Sequence, residues 1–558
     1  MKTSFVGLTI LIFLFFSCGK KSDPPTKPPL ETPKDFFFKN SKIDNLSNSW
    51  EVYKGVGITK SVSLFFNVPI KTSSVSAGIS LFEKGGRSVS YTSQLVNGDS
   101  TVIITASSSL QYLTTYSLFV GSALTSTEGV QLKNSQTISI STSIDSSDKF
   151  VRVSDDELLT LIQKQTFKYF WDFGHPVSGM SRERNTSGDL VTTGGTGFGV
   201  MSIIVGIERN FISRAEGLQR VNTIVDFLKD KCTRYHGAFA HWINGATGAT
   251  IPFSPKDNGA DLVETSLLMQ GLLTARQYFS GADATEVSLR NNINTLWDGI
   301  DWNWFRNGSQ NVLYWHWSPD YNFEINLPIS GWNESLIVYA LAASSNTHSI
   351  PSIVYDNGWA RNGAMKNGNS YYGIQLPLGP ALGGPLFFSQ YSFLGLDPNG
   401  LTDIYANYFT QNASHSMINY QYCVANPKNF YGYSASTWGL TASDDNKTGY
   451  SAHAPDNDDG VITPTAAISS LPYTPDQSLA ALRFFYYKLG DKLFKEYGFI
   501  DAFNLSDLWF ADSFLAIDQG PQIIMIENYR TKLLWNLLMS SPELKTGMKK
   551  LGFQSPHF

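Results

Sequence analysis

The feature that most constrains this chain is a change of hydrophobic period near residue 148. From about Phe36 to Ser147 apolar residues alternate: Val62, Leu64, Phe66 and Val68 are interleaved with Ser61, Ser63, Phe65 and Asn67. The pattern returns at Val102/Ile104, Tyr116/Leu118/Val120 and Ile138/Ile140. A period of two with Gly, Asn and Ser between the runs predicts short strands in a β-sandwich over 36–149. After Asp148 the spacing becomes three to four, as in Leu158, Leu159, Ile162, Phe167 and Phe170, and Ser154 with Glu157 supplies an N-cap and capping box. Further helical runs are expected at about 197–210, 214–231, 259–280, 283–298, 331–345, 400–411, 475–489 and 520–540. That many helices with long aromatic and Gly-rich loops, and no strand-helix alternation, predict an all-α (α/α)6 toroid over 151–558. A length of 558 residues independently requires more than one core.

The start of the chain reads as an export signal. Lys2 precedes an apolar stretch from Phe5 to Phe16, too short for a bilayer of about 30 Å. It ends in Ser17-Cys18-Gly19, which resembles a bacterial lipobox, so residues 1–18 are expected to be a lipoprotein signal with lipid carried by Cys18. The outer membrane of a Gram-negative bacterium is the expected address. Residues 19–35, with Pro24, Pro25, Pro28, Pro29 and Pro33, read as an extended tether.

With 42 basic and 47 acidic residues, the net charge of -5 leaves no broad cationic face for nucleic acid or an anionic membrane. A neutral partner and a monomer are expected. If Cys18 is acylated, Cys232 and Cys423 are either one bridge or two buried thiols, and no disulfide framework supports the fold.

Acidic residues carry the chemistry. Asp257, Asp261 and Glu264 fall at i, i+4 and i+7, which on a helix would line one stripe; a first turn complementing the helix dipole is the alternative for the first of them. Glu334, in Gly331-Trp332-Asn333-Glu334, is expected in the first turn of an apolar helix, as a capping acid or a catalytic one. Trp315, Trp317 and Trp332 offer flat faces for pyranose rings, with His316 and Asn333 beside them, and 12 of the 13 Trp residues lie in this region. Asp518 is a further candidate. Glu527, amid Ile-Ile-Met-Ile, needs either a cation such as Arg530 or contact with substrate. Asp456-Asn457-Asp458-Asp459-Gly460 lacks the EF-hand ligand rhythm, so Asp458 is placed on a substrate loop. His175, His236, His241, His316 and His453 have no metal-protease spacing, and no phosphate or dinucleotide fingerprint appears; neither metal nor cofactor is expected. Carboxylates beside aromatic platforms fit glycosidic cleavage, one protonated acid serving the leaving oxygen and one carboxylate activating water.

Trp171-Asp172-Phe173, Thr193-Gly194-Gly195-Thr196-Gly197-Phe198-Gly199, Pro255 to Glu264, Gly331-Trp332-Asn333-Glu334 and Ile517-Asp518-Gln519-Gly520-Pro521 together resemble the glycoamylase-like family, specifically glycoside hydrolase family 144, over 151–558. Residues Leu110 to Leu118 with Gly129-Val130 resemble bacterial Ig-like modules. The resemblance implies an (α/α)6 barrel, no metal and inverting cleavage of β-1,2-glucan to sophorose or longer oligosaccharides. It carries Asp257, Asp261, Glu264 and Glu334 over as cleft carboxylates. Glu334 is the expected proton donor, with the base among Glu264, Asp261 and Asp518. An α-glucan-cleaving enzyme, a polysaccharide lyase and a non-catalytic glycan-binding lipoprotein are the competing readings.

Overall fold

A computed structural model describes residues 34–44, 46 and 51–558. The leader, Cys18 and the tether up to residue 33 lie outside the described residues. The chain forms two compact units, the larger comprising residues 140–558 with segments 52–58 and 109–116.

The N-terminal strands are β1 (Phe38–Lys42), β2 (Val52–Val56), β3 (Val62–Phe66), β4 (Ile79–Glu83), β5 (Tyr91–Val96), β6 (Thr101–Ala106), β7 (Thr115–Val120) and β8 (Gln136–Thr142). They form two four-stranded sheets, in the orders β1-β3-β6-β5 and β2-β8-β7-β4. In the first, antiparallel sheet Val62 faces Ile104 and Leu64 faces Val102. All four are buried, as are Tyr116, Leu118, Val120, Ile138 and Ile140. The alternation therefore does what a one-sided sheet requires, sending every second side chain inward.

The larger unit is helical. Its principal helices are α1 (Asp155–Trp171), α2 (Thr193–Glu208), α3 (Arg214–Asp230), α4 (Leu262–Tyr278), α5 (Ala284–Asp298), α6 (Leu336–Ser344), α7 (Tyr408–Ala425), α8 (Pro464–Ser469), α9 (Pro475–Tyr487), α10 (Ala516–Thr531), α11 (Leu533–Met539) and α12 (Pro542–Lys550). Ser154 and Glu157 close the expected capping box on α1. The even-numbered helices α2, α4, α6, α8 and α10 are buried over nearly their whole circumference. Helices α1, α3, α5 and α9 keep a polar face outward. Helix α2 packs against both α4 and α10, α4 against α6, and α8 against α10.

Several helix boundaries differ from the sequence expectation; the run expected from 331 starts at Leu336 and the one expected from 197 starts at Thr193. The run expected at 400–411 is α7 at Tyr408–Ala425, because Thr402 and Asn407 close a bridge ahead of it and Asn407 caps Thr410. The run expected at 520–540 is two helices, parted where Lys532 adopts φ of 60°. The run expected from 259 starts only at Leu262. Cys232 and Cys423 are both free and buried. Among the described residues no helix is long and apolar enough to cross a membrane.

Candidate active site

The proposed stripe of acids is assembled differently from a helical face. Ala260–Asp261 is a short strand paired antiparallel with His316–Trp317, in the register Ala260 to Trp317 and Asp261 to His316. Gly259 sits so close to that partner that a Cβ would lie 2.3 Å from the Trp317 carbonyl oxygen; only glycine fits the crossing. The ladder holds Asp261 outside α4, where its carboxylate accepts the Glu264 N–H at 2.9 Å as an N-cap. Asp257 lies earlier still, in a turn whose N–H donates to the Ser254 carbonyl at 3.0 Å. Only Glu264 belongs to the helix, yet the three carboxylates converge.

Two imidazoles bind them together. His316 Nε2 lies 3.2 Å from Asp257 Oδ2 and 3.6 Å from Asp261 Oδ2. His241 Nδ1 lies 3.2 Å from Asp261 Oδ2, and its Nε2 is 4.0 Å from Glu264 Oε1. The Trp315 indole N–H donates to Asp261 Oδ2 at 3.3 Å. Glu264 turns its other oxygen to the first turn of α2, accepting the Gly194 N–H at 2.8 Å and the Thr192 hydroxyl at 3.4 Å. Gly194 is required there, since a Cβ would meet Glu264 Oε2 at 2.6 Å.

The electrostatics separate these acids. Burial would raise Asp261, but hydrogen bonds from His241 and His316 and their charges hold it well below the usual carboxylate range. The imidazoles gain in turn: against burial, Glu264 and Asp261 push His241 up to about 9, and Asp257 and Asp261 push His316 up to about 10. Burial raises Glu264; the His241 charge opposes that and Asp261 adds to it. Among the described residues no cation pairs with Glu334. Burial, with the charges of Glu264 and Asp261, pushes its carboxyl up to about 7.

Glu334 lies in the turn before α6, not inside the helix's first turn. Its backbone carbonyl accepts from the Ser392 hydroxyl, and α6 has no side-chain N-cap bond. The carboxyl is therefore not spent on capping. Asn333 instead accepts the Ser335 N–H at 2.9 Å, shaping the turn. The result is one carboxyl held neutral below about pH 7 in the field of the ionised Asp261, a contrast of the kind acid/base hydrolysis uses.

Other candidates fall elsewhere. Asp518 is buried at the start of α10 in a second acidic group with Asp501 and Asp444. Asp501 accepts the Asp444 N–H at 2.7 Å, and Arg184 pairs with Asp444 at 3.1 Å. The two groups flank the first turn of α2: Gly194 touches Glu264, and the next residue, Gly195, touches Ala516. Burial and like charge push Asp501 up to about 7 and Asp518 well above the carboxylate range. Burial, with the charges of Asp518, Tyr450, Glu334 and Glu264, raises the Tyr391 hydroxyl well above its ordinary value. Asp458 accepts from the hydroxyls of Tyr433 and Tyr422 at 2.6 and 2.9 Å. Glu527 is bound by Arg209 in a two-pronged ion pair of 2.7 and 2.8 Å, with the Gln163 amide at 3.0 Å; the cation is Arg209 rather than Arg530. Neither acid shares a partner with the Asp261 group. Trp332 packs inside the fold against Tyr408 and Phe393, whereas Trp315 and Trp317 remain half-buried beside the acids. Sequence reasoning missed the pairing role of His241 and the acid partner Asp501, because each contact spans a gap in sequence that no local motif bridges.

His241, Asp257 and Asp261 each present one potential metal-ligand atom within 4.8 Å of the others. In the structure the carboxylates are already matched by two imidazoles held cationic, and a metal would have to displace those protons.

Comparison with known proteins agrees with the two-part architecture. Residues 326–542 match the Glycoamylase family model, described as "Putative glucoamylase", and residues 52–142 match a bacterial Ig-like domain. The chain is 46% identical over 422 residues to an exo β-1,2-glucooligosaccharide sophorohydrolase (non-reducing end) of Parabacteroides distasonis. That match takes in 72% of this chain and spans 58% of the relative's length. An endo-β-1,2-glucanase from Chitinophaga pinensis, solved with sophorotriose and glucose, is 51% identical with a TM-score of 0.71, covering 73% of this chain and 100% of that one. A β-1,2-glucanase from Parabacteroides distasonis is 37% identical with a TM-score of 0.70, covering 92% of this chain and 74% of the other.

Proposed function

Because the chain belongs to the glycoamylase-like family, with a bacterial Ig-like module ahead of its helical unit, we propose that it hydrolyses β-1,2-linked glucan with inversion at the anomeric carbon. The observation that carries this reading is the contrast between Glu334, neutral up to about pH 7, and the ionised Asp261 beside it. Glu334 gives its proton to the glycosidic oxygen as the bond to the anomeric carbon breaks. Glu264 takes a proton from the attacking water: its Oε2 is fixed by Gly194 and Thr192, and among the described residues its Oε1 has no partner closer than the His241 ring at 4.0 Å. Asp261, drained of basicity by two imidazoles, is a poor proton acceptor. With Asp257, His241 and His316 it fixes the cleft, while burial, with the charges of Glu264 and Asp261, keeps Glu334 protonated.

The helical unit is read as an (α/α)6 toroid. In support, α10, α2, α4 and α6 pack in succession, α8 packs on α10, and the turn Tyr391–Leu394 touches both α6 and α10. Export as a monomeric lipoprotein, anchored by Cys18 to the outer membrane, completes the reading; Cys18 lies in the leader pattern at the start of the chain. A panel of α- and β-linked glucans with a reducing-end assay tests the substrate. Release of new ends from β-1,2-glucan is expected, and activity confined to α-glucans would replace the reading with the glucoamylase one.

A further inference from the structure

A large apolar ring one residue removed from the acid group belongs to Phe253, stacked on His241 in the segment Ile251-Pro252-Phe253-Ser254-Pro255. One face is covered: the ring lies 4.3 Å from that of His241 at an interplanar angle of 23°. Trp242 closes one side, centroid to centroid 4.7 Å at 58°. The backbone is fixed to a cleft acid, the Phe253 N–H donating to the Asp257 carbonyl at 2.9 Å. Proline on both sides stiffens the loop further. Even so, Phe253 is 48% exposed. A phenyl ring held this firmly, with one face against the site and the other open, leaves apolar area in water that a polar residue at the same position would not.

We propose that the open face of Phe253 is a stacking platform for a glucosyl unit, in a subsite next to the one where the bond is cut. The inference rests on the glucan-hydrolase reading above. Its geometry sets the subsite. The His241 ring stands between Phe253 and the carboxylates, touching Asp261 at 3.2 Å on one nitrogen and facing Glu264 at 4.0 Å on the other. A sugar on the far side of Phe253 is separated from Glu264 by two ring thicknesses, so its own anomeric carbon cannot be the one attacked. It must be a neighbouring unit of the same chain. A phenyl ring has no polar atom to read hydroxyl orientation; what it accepts is the flat C–H face of a pyranose, and an all-equatorial glucosyl unit presents such a face. Platform and catalytic group are coupled through His241, so a sugar seated on Phe253 is held in register with the carboxylates.

Steady-state kinetics on long and short β-1,2-glucans, comparing the wild type with Phe253→Ala, Phe253→Tyr and Phe253→Trp, tests this. The alanine variant is expected to raise KM for long chains about tenfold, with a much smaller change in kcat, and the aromatic variants are expected to restore KM. If Phe253 only covers His241, alanine lowers kcat and moves the alkaline limb of the pH profile while KM stays put, and the platform is overturned. Unchanged kinetics overturn it equally. Failure of the substrate reading looks different: a wild type silent on β-1,2-glucan but active on another glucan removes the linkage, and the KM comparison is then made on that glucan. A wild type inactive on every glucan overturns both.

Discussion

Glu334 can serve a leaving sugar only while it holds its proton, and its surroundings keep the proton on up to about pH 7. Activity is therefore expected to fall as pH rises through about 7, a limb that the kcat/KM profile of the free enzyme reports. Glu334→Gln should lower kcat about a thousandfold. The linked effect on stability has a definite sign. The folded state holds this proton more tightly than the unfolded chain, whose Glu titrates near 4.5, so wild-type stability falls between about 4.5 and 7 as pH rises. Glutamine removes that loss, and thermal unfolding at pH 8 should show the variant no less stable than the wild type. A kcat left intact would remove Glu334 from the mechanism. The grouping of Asp257, Asp261 and Glu264 was legible in the sequence, since the three share imidazole partners and Glu334 lies within the field of two of them. The cations that sort their proton affinities were not: His241 reaches Asp261 across 20 residues and His316 across 55, and neither spacing belongs to a local motif.

At the scale of elements, the glycines of the Thr193–Glu208 helix carry a structural meaning that propensity alone misreads. Glycine ordinarily weakens a helix, and the sequence reading began this one only at about 197. The structure starts it at Thr193 because α2 and α4 cross with almost no space between them: a Cβ on Gly197 would lie 2.2 Å from the Leu267 carbonyl, and one on Gly271 2.2 Å from that of Gly197. Both obstacles are backbone. Gly197→Ala is accordingly expected to cost about 3 kcal/mol of stability, measured by denaturant unfolding, and a cost below about 0.5 kcal/mol would contradict the close crossing. The period-two and capping-box signals were legible because they are local. The extent of the Tyr408–Ala425 helix was not, since its buried face includes Gln411, Asn412, His415 and Asn419, polar residues whose side-chain partners lie far away in sequence.

At the scale of the whole molecule, the switch from sheets to helices near residue 148 separates a module without a carboxylate constellation from one that concentrates them. Under the proposed lipid anchor at Cys18, Cys18→Ala should move the protein from the membrane to the soluble fraction on cell fractionation; an unchanged distribution would rule out the anchor. The catalytic account depends on neither module placement nor anchoring. It depends on a neutral Glu334 acting across a glucan from a water-activating carboxylate, an arrangement that inverts the anomeric carbon. Proton NMR of β-1,2-glucan during the first minutes of hydrolysis tests that most directly. New reducing ends should emerge as the α anomer and only later equilibrate. Ends that emerge first as the β anomer, or no new ends at all, would contradict it.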